Sequence, residues 1–178
     1  KDAAQLVAHP YLQLTNEQET QLNEWIDKQI NEHVPLQYLI GSVPFNDVTI
    51  AVRPPILIPR PETEEWCINL IENIESTSLT TFNVLDLCTG TGCVALALAK
   101  EFGNATVLGT DISEDALDLA RQNAALNKIT NVSWLQSDLY TNIKQKNHFD
   151  LIVSNPPYID PQEWQTLDPS VKNWEDKN

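Results

Sequence analysis

From Asn83 onward the chain alternates short apolar runs with stretches of helical period, and nothing else in it limits the fold as strongly. Asn83 to Leu87, Thr106 to Thr110, Val132 to Gln136 and Phe149 to Val153 have strand length and apolar content. Between the first three lie Gly92 to Glu101, apolar without a break from Cys93 to Ala99, and Glu114 to Asn127, whose apolar residues recur three and four apart. Strands joined by helices of this length do not turn straight back as hairpins; they cross over and pair in parallel. The spacing predicts an α/β domain with a parallel sheet. Sheets of this kind normally continue past the point where the strand order reverses, so this one is expected to be truncated after its fourth strand.

The N-terminal third has a different texture. Thr15 and Gln18 have the spacing of a capping box, in which two side chains satisfy free amides at a helix start. Leu22, Trp25, Ile26 and Ile30 follow at helical spacing and read as the packing face of a helix. Pro44, Pro54, Pro55, Pro59 and Pro61 then forbid a long helix, while Val48 to Val52 favours a strand. A short hairpin bridging two domains is expected here. Glu64 to Ile74 resumes a helical pattern, and Ser76 to Ser78 marks a loop.

Composition narrows the partners. Eleven Lys and Arg oppose 25 Asp and Glu, for a net charge of −14, whereas a protein that grips a phosphate backbone presents a basic face. An acidic chain suits a basic protein partner or a cationic ligand better than stable nucleic-acid binding. No apolar run reaches the roughly 18 residues that span a bilayer, so no membrane role is expected. Cys67, Cys88 and Cys93 form no Cys-x-x-Cys pair and the three histidines lie far apart, so neither a metal site nor a disulfide framework is predicted. Free thiols point to a reducing compartment. The chain starts at Lys1 and has no methionine, so residue 1 is not read as the natural start.

Cys88-Thr89-Gly90-Thr91-Gly92 joins the first strand of the alternation to its helix. Glycines in such a turn let backbone amides approach a ligand at a helix N-terminus. Asp111, 19 residues after Gly92, ends the next strand, where a carboxylate accepts hydrogen bonds from ribose hydroxyls. A dinucleotide fold wants Gly-x-Gly-x-x-Gly. The sequence gives Cys88-x-Gly90-x-Gly92 instead, which resembles the first motif of S-adenosylmethionine methyltransferases. Asp138, after the third strand, is a candidate acceptor for an adenine amino group, and Leu139 a candidate packing surface for its ring.

Asn155-Pro156-Pro157-Tyr158 follows the fourth strand directly. Two prolines fix φ and remove two amide donors, leaving carbonyl acceptors on a stiff turn. The Asn155 oxygen and the Pro156 carbonyl can accept both hydrogens of one NH2 group, and Tyr158 offers a flat face to a planar amide or base. Such a nitrogen has a delocalised lone pair and attacks a methyl group poorly. Fixed acceptors hold it and stabilise the positive charge that develops on transfer. The turn alone does not choose between a base and a side-chain amide.

These residues resemble a known group. The Asn155 to Tyr158 motif is similar to that of amino-methyltransferases acting on adenine, guanine and protein glutamine. Pro35-Leu36-Gln37-Tyr38-Leu39-Ile40-Gly41 with Phe45, and Leu57-Ile58-Pro59-Arg60-Pro61-Glu62-Thr63-Glu64, resemble the linker signatures of release factor glutamine methyltransferases. So does Asp86 to Gly92. Cys88 stands where the family often has glycine, a change that a negative φ would tolerate. Val171 and Trp174-Glu175 resemble a family segment that continues with proline, where this chain has Asp176.

The resemblance implies a Rossmann-like class I S-adenosylmethionine methyltransferase sheet behind a small helical domain and a hairpin linker. The corresponding divisions are residues 1–40, a helical substrate-docking domain, 41–62, the linker, and 63–178, the methyltransferase domain. The implied reaction is N5-methylation of the glutamine in the Gly-Gly-Gln motif of a class 1 peptide chain release factor. S-adenosyl-L-methionine is the implied cofactor, held by Asp86, Cys88, Thr89, Gly90, Thr91, Gly92, Asp111, Asp138 and Leu139. Asn155, Pro156, Pro157 and Tyr158 are the implied catalytic and substrate-binding residues, with Arg60 and Glu62 beside the substrate. A monomer in the cytoplasm or mitochondrion is expected. A base N-methyltransferase acting on DNA or RNA is the alternative reading.

Overall fold

The computed structural model describes residues 13–77, 81–144 and 148–176. Helix α1 (Asn16–Glu32) opens with the expected capping box: the Gln18 amide donates to Thr15 Oγ1 at 3.3 Å, and the Thr15 amide donates to Gln18 Oε1 at 3.0 Å. Its apolar stripe departs from expectation. No residue of α1 is buried, and Leu22, Ile26 and Ile30 are all exposed. Among the described residues, none buries this face; the short helix α2 (Leu36–Ile40) follows after Pro35.

The predicted hairpin is present as β1 (Ser42–Phe45) and β2 (Val48–Ala51), antiparallel, with Phe45 opposite Val48 across a turn at Asn46 and Asp47. Phe45, Val48 and Ile50 point into the core. Helix α3 (Pro61–Glu75) follows, with proline at its first position, where the missing N–H costs no hydrogen bond. Glu64 Oε1 accepts from the Asn46 amide at 2.6 Å and ties α3 to the hairpin turn. Of the loop expected after it, Ser76 and Thr77 lie in the turn, while Ser78 lies outside the described residues.

The α/β alternation takes the expected form. Strand β3 (Asn83–Leu87), helix α4 (Cys93–Glu101), β4 (Thr106–Asp111), helix α5 (Glu114–Asn127), β5 (Val132–Gln136) and β6 (Leu151–Ser154) form one parallel sheet. Its order is β5-β4-β3-β6, so the chain steps outward on one side of β3 and returns to the other. Val84, Leu85, Val107 and the whole apolar length of α4 are buried in its core. The fourth strand begins at Leu151, two residues later than Phe149; just before it, Asp150 joins Asn83 through its side chain, which accepts from the Asn83 amide at 2.8 Å, and through its own amide, which donates to the Asn83 carbonyl at 2.9 Å. Short helices α6 (Pro161–Trp164) and α7 (Pro169–Lys172) end the described chain.

Residues after α7 fold back onto the linker and α1. The Asp176 amide donates to the Pro55 carbonyl at 2.6 Å, and Trp174 Nε1 to the Glu32 carbonyl at 3.0 Å. No helix among the described residues is long and apolar enough to cross a membrane.

Candidate active site

The register of the sheet builds the site. Leu87, the last residue of β3, pairs with Ser154, the last residue of β6. The loop from Cys88 and the turn from Asn155 therefore leave the sheet side by side, where the strand order reverses. In open parallel sheets this crevice is where ligands bind. Ser154 Oγ donates to the Leu87 carbonyl at 3.0 Å and fixes the two exits together.

The loop is shaped by three left-handed residues at alternate positions: Cys88 (φ 57), Gly90 (φ 55) and Gly92 (φ 80). Cys88 corrects one expectation, since a negative φ was the condition for tolerating a side chain there. The left-handed conformation brings Cβ close to the following carbonyl oxygen and costs about 1–2 kcal/mol. Gly92 begins α4 and has no side chain to cap it. Asp86 supplies the cap from β3: its Oδ2 accepts from the Ala95 amide at 3.2 Å and from Thr89 Oγ1 at 2.6 Å. Asp86 thus faces inward and shapes the loop. Burial pushes its carboxyl up to about 7, the Thr89 and Ala95 bonds pull against this, and Asp111 adds a smaller upward push.

Asp111 lies at the loop's open side. Its Oδ2 accepts from the Gly90 amide at 2.8 Å and its Oδ1 from the Ser113 amide at 3.0 Å. A carboxylate has about four lone-pair sites, so acceptor capacity remains for hydroxyls. The Asp111 carbonyl takes the Ser137 amide at 2.9 Å, which brings Asp138 and Leu139 to the same end of the sheet. Both are exposed, and Leu139 is left-handed at φ 46. Ser137 Oγ braces that turn, donating to the Leu139 carbonyl at 2.8 Å and accepting from the Asn142 amide at 3.0 Å.

On the acceptor side, Asn155 is half-buried while Pro156, Pro157 and Tyr158 are exposed, Tyr158 to 81%. Asn155 Nδ2 donates to Thr63 Oγ1 at 3.2 Å. Arg60 is the N-cap residue of α3, and no side chain caps that helix. Arg60 Nη2 is spent on Glu175, at 2.8 and 2.6 Å from its two carboxylate oxygens, and Glu175 is buried. Glu62 is exposed in the first turn of α3. A cavity of about 440 Å³ beside Arg60 is lined by Gln29, His33, Gln37 and Glu175, and contains none of the loop or tetrapeptide residues.

Three contributors were not read from the sequence. Thr63 is one. Asn123 on α5 is another: wholly buried, it donates through Nδ2 to the Thr91 carbonyl at 3.0 Å and holds the loop from behind. Gly109 is the third. A Cβ there would lie 2.5 Å from Cε3 of Trp134 and 3.1 Å from Thr89 Oγ1, so its bareness lets the indole lie under the loop. A glycine inside a strand run was the available hint.

A model of the methyltransferase small domain matches residues 68–168, more than half of the sequence, and a model of the PrmC N-terminal domain matches residues 1–41. The chain belongs to the methyltransferase small domain family.

Within that family its relatives are those that the motifs pointed to. A release factor glutamine methyltransferase of Streptococcus pneumoniae is 46% identical over 148 residues, covering 83% of this chain and 50% of the relative. One of Fusobacterium nucleatum is 37% identical over 169 residues, covering 93% and 46%. The chain thus spans about half the length of these curated relatives. A solved S-adenosylmethionine-dependent methyltransferase from Agrobacterium tumefaciens superposes with a TM-score of 0.55 at 22% identity, over 65% of this chain and 39% of that one. This likeness concerns the fold, the class I methyltransferase sheet.

Proposed function

We propose that this chain is the donor-binding and acceptor-positioning part of a protein-(glutamine-N5) methyltransferase. Its substrate is the glutamine of the Gly-Gly-Gln motif in a class 1 peptide chain release factor. The observation that carries the reading is the adjacency of Cys88 and Asn155, imposed by the pairing of Leu87 with Ser154. A methyl donor in the loop and an NH2 group on the turn would then meet across one crevice.

In this reading S-adenosyl-L-methionine supplies an electrophilic methyl group on a sulfonium. The loop residues Cys88 to Gly92 lie along its amino-acid end, Asp111 accepts from the ribose hydroxyls, and Asp138 with Leu139 receives the adenine. Asn155 Oδ1 and the Pro156 carbonyl accept the two hydrogens of the glutamine amide. That bonding concentrates electron density on the nitrogen and stabilises it as it becomes cationic; a proton leaves afterwards. Pro157 keeps the turn rigid and Tyr158 lies against the amide plane. Residues 1–40 serve as the docking surface, 41–62 as linker and 63–178 as the methyltransferase part. The match of residues 1–41 to the PrmC N-terminal domain supports a protein substrate over a nucleobase, as does the charge of −14.

The test is incubation with methyl-labelled S-adenosyl-L-methionine and a class 1 release factor, its Gly-Gly-Gln glutamine replaced by alanine in a parallel sample, and nucleic acid in a third. Label is expected on the intact release factor only. Label on nucleic acid alone overturns the proposal.

A further inference from the structure

We infer that Thr63 is a positioning residue that anchors the side-chain amide of Asn155 beside the crevice, with its Nδ2 end turned inward; this rests on the role proposed above for Asn155. An asparagine amide has a donor end and an acceptor end of nearly the same shape, and a half-turn about its last torsion exchanges them. Only one of the two orientations accepts hydrogen bonds from an incoming NH2. In the other, donor meets donor and the acceptor is lost.

The structure holds the productive orientation. Asn155 Nδ2 is committed to Thr63 Oγ1 at 3.2 Å, so Oδ1 is the end left for the crevice. Thr63 is suited to this task. Its residue is 7% exposed, its β-branched side chain has restricted χ1, and no cap interaction of α3 competes for its oxygen.

The backbone beneath it is fixed independently. The Thr63 amide donates to the Arg60 carbonyl at 3.0 Å, Pro61 pre-sets the first helical φ, and the Arg60 guanidinium is clamped by both oxygens of buried Glu175. The chain from Glu175 through Arg60 and Thr63 to Asn155 joins residues far apart in sequence. It places an acceptor on a rigid helix start, where a misplacement of about 1 Å would be felt.

Two measurements on the protein test the inference. Thr63→Val keeps the shape and removes the hydroxyl; Thr63→Ser keeps the hydroxyl. With release factor as acceptor, Thr63→Val is expected to lower kcat about tenfold, the factor for one ordinary hydrogen bond, leaving donor affinity and the KM for the release factor near wild type. Thr63→Ser restores most of the rate, and Thr63→Val has no further effect in an Asn155→Ala background. A wild-type protein that methylates the release factor while Thr63→Val turns over at the same rate overturns the role of Thr63.

The second readout needs no turnover. In a ¹⁵N-resolved spectrum the Asn155 side-chain NH2, assigned by its loss in Asn155→Ala, is expected to show two resolved resonances in wild type and Thr63→Ser. In Thr63→Val they should move to the position of solvent-exposed amides. Unchanged resonances in Thr63→Val overturn the inference, whether or not the proposed methyl transfer is found.

Discussion

Asn123 on α5 and Ala51 at the end of β2 exchange two hydrogen bonds as a pair of strands would. The Ala51 amide donates to Asn123 Oδ1 at 2.7 Å, and Asn123 Nδ2 donates to the Ala51 carbonyl at 3.1 Å. One turn later Asn127 repeats the exchange with Thr49, at 2.9 and 2.7 Å. A helix face thus substitutes for a third strand on the open edge of the hairpin, where unpaired backbone groups would otherwise be left.

Replacing Asn123 by leucine keeps the volume and removes its two bonds with Ala51 and its bond to the Thr91 carbonyl, leaving the Asn127 exchange with Thr49 in place. The Ala51 amide and carbonyl and the Thr91 carbonyl lose their bonds in a buried setting, so a loss of about 2–4 kcal/mol is expected. Urea denaturation measures it as a lowered midpoint at constant slope. A loss below about 0.5 kcal/mol would show that water replaces the amide without penalty.

Gly109→Ala tests the space beneath the loop. Its Cβ would press on the Trp134 ring, which already lies within 2.8 Å of the position a Cβ would take at Gly92. Overpacking of this kind costs about 1–3 kcal/mol. The melting temperature should fall and Trp134 fluorescence should change; an unaltered melt would mean that the ring has room to move.

Cys88→Gly acts in the opposite direction. Relief of the left-handed strain is partly offset by the greater unfolded-state entropy of glycine, leaving a gain of up to about 1 kcal/mol. Cys88→Val, with a branched side chain at the same φ of 57, should be destabilising. Equal stability of the two variants would contradict the strain.

Asp86 predicts a dependence on pH. Its folded carboxyl sits at about 7 against an ordinary value of 3.8. Between these values the unfolded chain has released the proton and the folded chain retains it, so this group's contribution to stability is full below about 4 and declines as pH rises to about 7. Asp86→Asn keeps an acceptor for Thr89 and Ala95 but cannot ionise. Subtracting its stability curve from that of the wild type should isolate a fall across that window; a flat difference would mean that the buried carboxyl is not perturbed.

Asn155→Ala should leave donor affinity near wild type, read by calorimetry, and slow methyl transfer by about 10² or more, the usual loss when a transition-state acceptor is removed. An unchanged rate would place the chemistry elsewhere.

Much of the scaffold was legible in the sequence because its signals are local. Glu114–Asn127 and Val132–Gln136 have the predicted limits, since Ser113 caps the helix through the Ala116 amide and Lys128 ends it in the left-handed region. The adjacency of Cys88 and Asn155 was equally legible, because both follow parallel strands at one end of the sheet. Other features depend on contacts between distant residues. Thr63 is one residue of a linker signature until Asn155, 92 positions later, is seen against it. Arg60 reads as a free cation for a substrate until Glu175 takes it. The φ of Cys88 has no sequence signature at all, and the α1 stripe looked like a buried face although the described residues leave it open.

The pairing of β6 with β3, rather than with β5, makes the two sides of the crevice meet through residues 67 apart in sequence. A chain emerging from the ribosome completes the Cys88–Gly92 loop, Asp111 and their strands while Ser154 and Asn155 have yet to be made. The β3-β4-β5 side of the sheet is built from local βαβ contacts, whereas the Asn155 turn is brought beside Cys88 only by a closure across the intervening strands. A nascent molecule therefore passes through a stage in which the Cys88–Gly92 loop has been made and the turn that stands beside it has not.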